Sequence, residues 1–290
     1  MRYIKLKWGS QGDVPKALRY GNVLHQPMAD KVRDGDLVLL FDGAKEHLVR
    51  AEDRMAALGG GAGALNAKRL IGMGYGEVLG IGSRELLVLR PDIRDLLGGL
   101  ERGPQIITAK DIGPMIIEMG LTSGMTVVEG GAGSGSLTLA LLNAVGPTGR
   151  VLTYEVRGDH LEKARRNVSM SPYRDRWEAR LGDISRCDIK GVDAFVVDVP
   201  DPQDAVEAAA NALITGGRFC SYIPTVNQLE KVFERLREAG FVRIRATEVL
   251  SRDYSVKKGA VRPQTEMLGH TGYMVHARWV SRSKPSLYQG

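Results

Sequence analysis

The residues with the most chemical content fall between positions 129 and 201. Glu129-Gly130-Gly131-Ala132-Gly133-Ser134-Gly135-Ser136 places glycines at 131, 133 and 135 directly after an apolar run that ends in an acid. Glycines so spaced let the chain turn tightly and let a ligand touch the backbone. Glu155 follows Gly131 by 24 residues, and an acid there can accept hydrogen bonds from both hydroxyls of a ribose. A dinucleotide loop needs G-x-G-x-x-G. Counted from Gly131, the last glycine of that pattern falls on Ser136, so the dinucleotide fingerprint fails.

The E-x-G-x-G-x-G pattern instead resembles motif I of class I S-adenosylmethionine methyltransferases. That cofactor carries no pyrophosphate to neutralise, so the loop need only admit methionine and ribose closely. Asp183, in Leu181-Gly182-Asp183-Ile184, stands where this class has an acid that accepts from the adenine amino group; taken alone, it is a turn or cap residue. Asp198 opens Asp198-Val199-Pro200-Asp201-Pro202, where the class handles the nucleophile. The Asp/Asn-Pro-Pro-Tyr/Phe pattern of DNA amino methyltransferases is absent. Pyrimidine C5 transfer needs a cysteine nucleophile, typically after proline, whereas Cys187 follows Arg186 and Cys220 follows Phe219. A lone carboxylate suits a neutral ring nitrogen. N1 of adenine has an in-plane lone pair, and transfer leaves a positive charge shared with the exocyclic amine. A fixed carboxylate accepts from that amine and stabilises the developing charge; positioning supplies the rest. The alternative role for Asp198 is a helix N-cap, which Asp201 or Asp204 can equally fill.

These residues require strands that end in acids and helices that begin at loops. From about residue 105, strand-like runs at 125–129, 151–155, 194–198, 218–223, 242–250 and 273–280 alternate with helical stretches at 137–145, 160–168, 205–213 and 226–239. Gly146 can cap the first of those helices. Such alternation implies an α/β fold, a Rossmann-like and mainly parallel sheet covered on both faces. The last two strands lack an intervening helix, so one of them is expected to be antiparallel. Before residue 105 the punctuation is different. Short apolar runs at 37–41, 47–50 and 86–89 are broken by Asp34-Gly35-Asp36 and Asp42-Gly43, as in small β-structure. The glycines at 59–63 read as a flexible loop, and no Gly-Lys-Ser or Gly-Lys-Thr follows to make a phosphate loop. Residues 92–100 read as one short helix. The division expected is a β-rich N-terminal domain over 1–104 and a catalytic domain over 105–290.

With 290 residues, 43% hydrophobic and 26% charged, the chain has the make-up of a soluble globular protein. The net charge of +6 and pI near 9.3 weakly favour a polyanionic partner. Cys187 and Cys220 form no CxxC pair and histidine is scarce, so a zinc cluster is disfavoured and two buried thiols are expected. No signal-like apolar run opens the chain, and none approaches the ~20 residues of a membrane span. A cytoplasmic protein with no membrane partner is expected.

Beyond the glycine loop, longer blocks resemble the TrmI-type tRNA (adenine-N1)-methyltransferases over nearly the whole chain. They are Asp36-Leu37-Val38, Leu87-Val88-Leu89-Arg90-Pro91, Arg102-Gly103-Pro104-Gln105-Ile106-Ile107, Lys110-Asp111-Ile112-Gly113, Tyr154-Glu155-Val156-Arg157, Asp198-Val199-Pro200-Asp201-Pro202, Ser221-Tyr222-Ile223-Pro224-Thr225 and Gly269-His270-Thr271-Gly272-Tyr273. The resemblance implies methyl transfer from S-adenosylmethionine to N1 of adenosine 58 in the tRNA T-loop, with position 57 as a further acceptor in some archaeal members. It implies that Glu129, Gly131, Gly133, Ser134, Gly135, Ser136, Leu137, Glu155, Asp183 and Ile184 make the cofactor site, with Gln105 and His160 near it. It implies Asp198 as the catalytic acid touching both cofactor and adenine, Tyr222 in the target-base pocket, and a homotetramer. The family commonly reads Gln-Ile-Ile-Tyr-Pro-Lys-Asp where this chain has Thr108 and Ala109, so the aromatic neighbour of the base is replaced by a residue that cannot stack.

Extracting a T-loop adenosine costs a few kcal/mol, which other RNA contacts must offset. Arg252, Lys257, Lys258 and Arg262, with Tyr254 among them, form a basic segment suited to RNA backbone or, equally, to solvent. Three competing functions remain open, of which a small-molecule methyltransferase gains no support from the basic pI. An isoaspartate-repair methyltransferase shares a similar cofactor loop but fits the N-terminal β-domain and the Tyr222-Ile223-Pro224 block poorly. A non-catalytic tRNA-binding subunit is argued against by the intact glycine loop, Glu155 and Asp198.

Overall fold

The computed structural model describes residues 31–59, 63–101 and 106–280. The N-terminal strands are β1 (Leu37–Phe41), β2 (Glu46–Arg50), β3 (Met55–Leu58), β4 (Gly63–Asn66), β5 (Val78–Ile81) and β6 (Arg84–Leu89). Four of them form an antiparallel sheet in the order β2-β1-β6-β5, and β3 pairs with β4 alone. The β1–β2 turn is closed by Asp42, whose Oδ1 accepts from the amides of Ala44 and Lys45 at 3.0 and 2.7 Å. Val38, Leu40, Leu65, Leu70, Leu86 and Val88 fill this small core.

Helix α1 (Ile93–Gly98) follows, started by a capping box between Asp92 and Asp95. Leu100 belongs to the core of the large sheet, and Ile93 and Leu97 pack against that core. The N-terminal core therefore closes at β6, and α1 is already part of the second body. The expected boundary at 104/105 lies outside the described residues.

The second body contains α2 (Ala109–Glu118), β7 (Thr126–Gly130), α3 (Ser136–Val145), β8 (Arg150–Glu155), α4 (Gly158–Val168), β9 (Trp177–Leu181), β10 (Val192–Val197), α5 (Val206–Ala212), β11 (Leu213–Ile223), α6 (Val226–Ala239), β12 (Val242–Glu248), a hairpin of β13 (Tyr254–Lys257) and β14 (Ala260–Pro263), and β15 (Tyr273–Arg278). Its seven-stranded sheet has the order β12-β15-β11-β10-β7-β8-β9. Strands β7 to β11 are parallel, and β15 runs antiparallel between β11 and β12, as expected for strands without a helix between them. Alternate residues of each strand face opposite cores. Val128, Phe195 and Phe219 pack under α5 and α6 with Phe241 and Trp279. Val127, Val151, Val196 and Met274 pack under α2 and α3.

Helix α5 stops at Ala212, one residue short of the expected span, because Leu213 is extended and pairs with Val192. The basic stretch after residue 252 is a two-stranded hairpin. Cys187 and Cys220 are both buried free thiols. No helix among the described residues is long and apolar enough to cross a membrane. The chain enters the sheet at β7, works outward to β9, then returns to β10 on the other side of β7. That reversal opens a crevice at the carboxyl ends of β7 and β10, where such sheets bind ligands.

Candidate active site

The glycine loop leaves β7 into this crevice. Its start is stitched on both sides: the Gly131 amide donates to the Tyr154 carbonyl at 2.8 Å, and the Asp198 amide donates to the Gly130 carbonyl at 2.8 Å. Gly131 has φ +90°, and a Cβ there would lie 2.1 Å from the Asp198 carbonyl oxygen. Only glycine permits that left-handed turn and that approach together. Two of the three glycines thus have a packing reason of their own. Gly131 makes room for the backbone of Asp198, and Gly135 makes room for Ala164 of α4. Gly133 faces open space.

Glu155 ends β8 and is almost wholly buried. Its Oε2 accepts from the amides of Ala132 and Gly133 at 3.0 and 3.2 Å, and its Oε1 from the amide of Arg157 at 2.9 Å. It thereby ties the glycine loop to the end of β8. His160 Nδ1 lies 4.0 Å from Glu155 Oε2. The Ser136 hydroxyl donates to the Ile107 carbonyl at 3.0 Å, and Leu137 anchors α3 in the core. Asn167 Nδ2 donates to the carbonyls of Ser134 and Glu101 at 2.7 and 3.1 Å, tying α4 to the loop. Ile184 is buried against Gly130. Asp183 is exposed, and its Oδ1 accepts from the Ser185 amide at 2.9 Å, capping the 3-10 turn Ile184–Arg186. The candidate Gln105 lies outside the described residues.

Glu129 departs from the expectation that it contacts the cofactor. It has no exposed surface. Its Oε2 accepts from the hydroxyls of Thr138 and Thr153 at 2.7 and 2.6 Å, so it braces α3 and β8 from within. Burial raises its carboxyl to about 8, against the pull of the two threonine hydrogen bonds, with Asp198 and Glu155 adding repulsion.

Asp198 follows the last residue of β10 and is partly open to the crevice. Among the described residues no hydrogen-bond donor meets its carboxylate. The 3-10 turn Pro202–Ala205 has Asp201 at its N-cap position, without a side-chain cap bond, so the capping role proposed as the alternative for Asp198 does not apply. Burial, then the charge of Glu155, raises Asp198 to about 7. Glu129, Glu155 and Asp198 thus crowd one end of the sheet, and among the described residues no lysine or arginine forms an ion pair with any of them. Low dielectric magnifies their repulsion. Such a pocket favours a ligand bearing positive charge and disfavours a pyrophosphate, which matches a sulfonium cofactor with a free amino group.

Beside Asp198 lies a second network, which joins Tyr222 to three residues given no role above, Lys110, Asp111 and Thr271. Asp111 on α2 is fully buried. Lys110 Nζ meets its Oδ1 at 2.7 Å. Its Oδ2 accepts from the hydroxyls of Thr271, Tyr222 and Thr108 at 2.8, 3.3 and 3.2 Å. Lys110 Nζ also donates to Thr271 Oγ1 at 2.6 Å and to the Val249 carbonyl at 2.8 Å. Tyr222, the last residue but one of β11, lies against Gly272, where a Cβ would come within 2.5 Å of its ring. Burial pushes the Tyr222 hydroxyl up to about 12, so it stays a neutral donor. His270 clamps the same corner, bonding Glu248 at 2.6 Å and the Pro224 carbonyl at 3.0 Å. Thr108 starts α2 and turns its hydroxyl to Asp111. Lys110 and Thr271 are 161 residues apart, so only the antiparallel return of β15 brings them together.

Lys257, Lys258 and Arg262 lie on the β13–β14 hairpin, away from these networks and exposed. Register places Ser255 opposite Arg262 and Lys257 opposite Ala260, so Lys257 and Arg262 share a face. Val256 and Val261 share the other.

Comparison with known proteins agrees with this geometry. Residues 96–261 match the family described as tRNA methyltransferase complex GCD14 subunit. The chain is 36% identical over 218 residues to the tRNA (adenine(57)-N(1)/adenine(58)-N(1))-methyltransferase TrmI of Methanocaldococcus jannaschii, a match covering 66% of this chain and 77% of that protein. Its fold is similar to a crystal structure of a SAM-dependent O-methyltransferase from Thermotoga maritima, with a TM-score of 0.78 and 32% identity over 88% of this chain and 97% of that one. It is also similar to the tRNA (m1A58) methyltransferase TrmI of Aquifex aeolicus, with a TM-score of 0.70 and 26% identity over 86% of this chain and 98% of that one. The glycine loop, the acid-lined crevice and these matches together place the chain in the GCD14 family of tRNA methyltransferases, on the fold of S-adenosylmethionine-dependent methyltransferases.

Proposed function

We propose that this protein transfers a methyl group from S-adenosylmethionine to N1 of adenosine 58 in the tRNA T-loop. The observation that carries the reading is the unpaired Asp198 carboxylate, fixed by its own backbone to the glycine loop in a pocket of uncompensated negative charge. The bound cofactor supplies an electrophilic methyl group on a sulfonium. Glu155 offers its remaining acceptor capacity to the ribose hydroxyls, and Asp183 offers its exposed carboxylate to the adenine amine. Gln105 and His160 border that site, and Gly133 with Ser134 leaves the loop low enough to admit the ligand. Glu129 acts by bracing the loop from below.

Asp198 accepts from the exocyclic amine of the target adenine and stabilises the cation that forms as N1 is methylated. It selects adenine by the same bond. Tyr222, held by Asp111, forms one wall of the base pocket, and Thr108 leaves the position beside it without a stacking ring. The basic face of the β13–β14 hairpin contacts RNA backbone. Assembly as a homotetramer and a cytoplasmic location complete the reading.

The test is incubation with labelled S-adenosylmethionine and unmodified tRNA transcript, followed by nucleoside analysis. The expected product is 1-methyladenosine in the T-loop, with transcripts altered at 57 or 58 assigning the acceptor. Reversing Lys257 and Lys258 to glutamate should weaken tRNA binding and flatten its salt dependence. Label in isoaspartyl peptides but not in tRNA would overturn the assignment, and failure to bind cofactor would point to a non-catalytic subunit.

A further inference from the structure

The face of the large sheet under α2 carries an arrangement of arginines that the methyl-transfer site does not use. Arg218 on β11 lies directly opposite Arg278 on β15. Directly opposed residues of an antiparallel pair share a face with Cβ atoms roughly 4.5–5.5 Å apart, and like charges so placed destabilise the pair. The next strand adds two more. Arg278 pairs with Val242 and His276 with Arg245, which leaves one extra residue on β12 between those pairs. That bulge contains Arg243, which has φ +53° and is the one non-glycine residue in the left-handed region among the described residues. A bulge re-aims a side chain, and a non-glycine residue held in that conformation costs free energy that the surrounding fold must supply.

Little opposes this charge. Glu118, at the end of α2, forms an ion pair with Arg245. Arg278 Nε donates to the Gly216 carbonyl at 3.2 Å. Among the described residues no carboxylate pairs with Arg218 or Arg243. Burial lowers the Arg218 guanidinium from its usual value, and Arg278 and Arg243 lower it further, with Glu118 opposing. His276, between these strands, is driven down to about 4 by burial, aided by Arg245 and Arg218, so it adds no charge at neutral pH. A like-charged cross-strand pair and a strained bulge that brings up a third cation stabilise nothing in the isolated fold.

From this register and bulge we infer that Arg218, Arg243 and Arg278, spread over three adjacent strands, form a second anchoring site for the phosphate backbone of the RNA substrate. Arg218 precedes Tyr222 by four residues on β11, about 13 Å at ~3.3 Å per residue. A few nucleotides of backbone cover that distance, so one RNA can reach both the base pocket and this patch. Guanidinium forks match phosphate oxygens in pairs. The inference rests on the RNA-substrate reading above and adds a surface to it.

The test compares wild type with Arg218→Gln/Arg243→Asn, asparagine being tolerated in the left-handed region. Cofactor affinity and the melting curve confirm folding, and the single variant Arg243→Asn, at an exposed position, serves if the double variant fails to fold. Affinity for full-length tRNA is measured from 50 to 300 mM salt. The double variant should bind about tenfold more weakly at 150 mM, with the slope of log K against log salt reduced by about 1 to 2, one ion equivalent per lost phosphate contact. The single variant should lose about half of that slope change. The turnover number at saturating tRNA should stay within twofold. An unchanged slope with wild-type tRNA affinity overturns the inference and leaves the methyltransferase reading intact. A change in sedimentation with no change in slope also overturns it, assigning the patch to contact between copies of the chain. Wild-type protein that neither binds nor methylates tRNA overturns both.

Discussion

Replacing Asp198 by asparagine should make the protein at once more stable and nearly inactive, and pH separates the two effects. The carboxyl is raised from 3.8 to about 7, first by burial and then by the charge of Glu155. Between those values the folded state holds a proton that the unfolded chain has released. Stability is therefore full below pH 3.8 and lost as pH rises through 7. At about 1.4 kcal/mol per pH unit the cost above pH 7 approaches ~4 kcal/mol for complete burial. Asp198 keeps an edge open to solvent, whose screening reduces this to roughly 2 kcal/mol. Asparagine carries no charge to desolvate. The variant should gain about 2 kcal/mol at pH 8 and nothing at pH 4, or roughly 4–8 °C in the melting midpoint of a protein this size. Glu129 titrates over an overlapping range, and loss of the Asp198 charge also relieves its repulsion of Glu129, which adds to the gain at pH 8 and not at pH 4. Turnover should fall about 10²–10³-fold, the usual loss when one group that stabilises transition-state charge is removed. The assays are cofactor-free thermal melts at pH 4 and pH 8 and single-turnover methylation of tRNA. Turnover within threefold of wild type would refute the chemical role. A midpoint gain equal at both pH values would refute the electrostatic account.

Two further perturbations probe the frame around that acid. Gly131→Ala puts a Cβ 2.1 Å from the Asp198 carbonyl oxygen at φ +90°; stability should fall by about 2–4 kcal/mol, and titration calorimetry should show cofactor affinity reduced more than tenfold. Unperturbed affinity would mean that the loop has another way to seat. Glu129→Gln should raise stability at pH 7 by up to ~3 kcal/mol, because the wild-type carboxyl, raised from 4.5 to about 8, loses stability as pH climbs through that window. Its cofactor affinity should stay within threefold, and a collapse in that affinity would show that Glu129 meets the ligand after all.

The parts of the site readable from sequence were those fixed by local chain geometry. The loop from Gly131 to Ser136, the acid at the end of β8 and the acid after β10 each lie where one strand gives way to the next segment, and periodicity alone locates such points. The direction of a side chain at such a point is a different matter. Glu129 and Glu155 both close acid-terminated runs in the sequence, yet Glu129, one residue inside the end of β7, turns inward to Thr138 and Thr153, while Glu155, the last residue of β8, turns to the loop amides. Strand parity does not separate them, because Glu129 pairs with Thr153 and Glu155 lies two residues further along the same face. What separates them is that β7 runs one residue past Glu129 while β8 stops at Glu155, a boundary that sequence alone does not fix to one residue. The Lys110–Asp111–Thr271–Tyr222 network was invisible for a different reason. Its members are distant in sequence and become neighbours only when β15 inserts between β11 and β12. Helix α1 shows what composition leaves out, because it follows a β-rich stretch in the chain but packs Leu97 and Ile93 against the core of the large sheet. Composition marks where a pattern changes, and packing decides which core an element joins.

The contact between Gly131 and the Asp198 backbone also has a thermodynamic consequence. The glycine loop and Asp198, the proposed catalytic acid, meet backbone to backbone at Gly131, and the Asp198 amide is bonded to the Gly130 carbonyl. On the proposed roles, a shift of either backbone segment is passed to the other, so occupancy of the cofactor site and occupancy of the base pocket would bias the same pair of backbone positions. Linkage then requires reciprocity: whatever factor the cofactor adds to the affinity for the target base, the base adds to the affinity for the cofactor. Order of binding becomes a matter of concentrations rather than of a gate, and product release inherits the same coupling in reverse, with departure of the modified base loosening the hold on the spent cofactor.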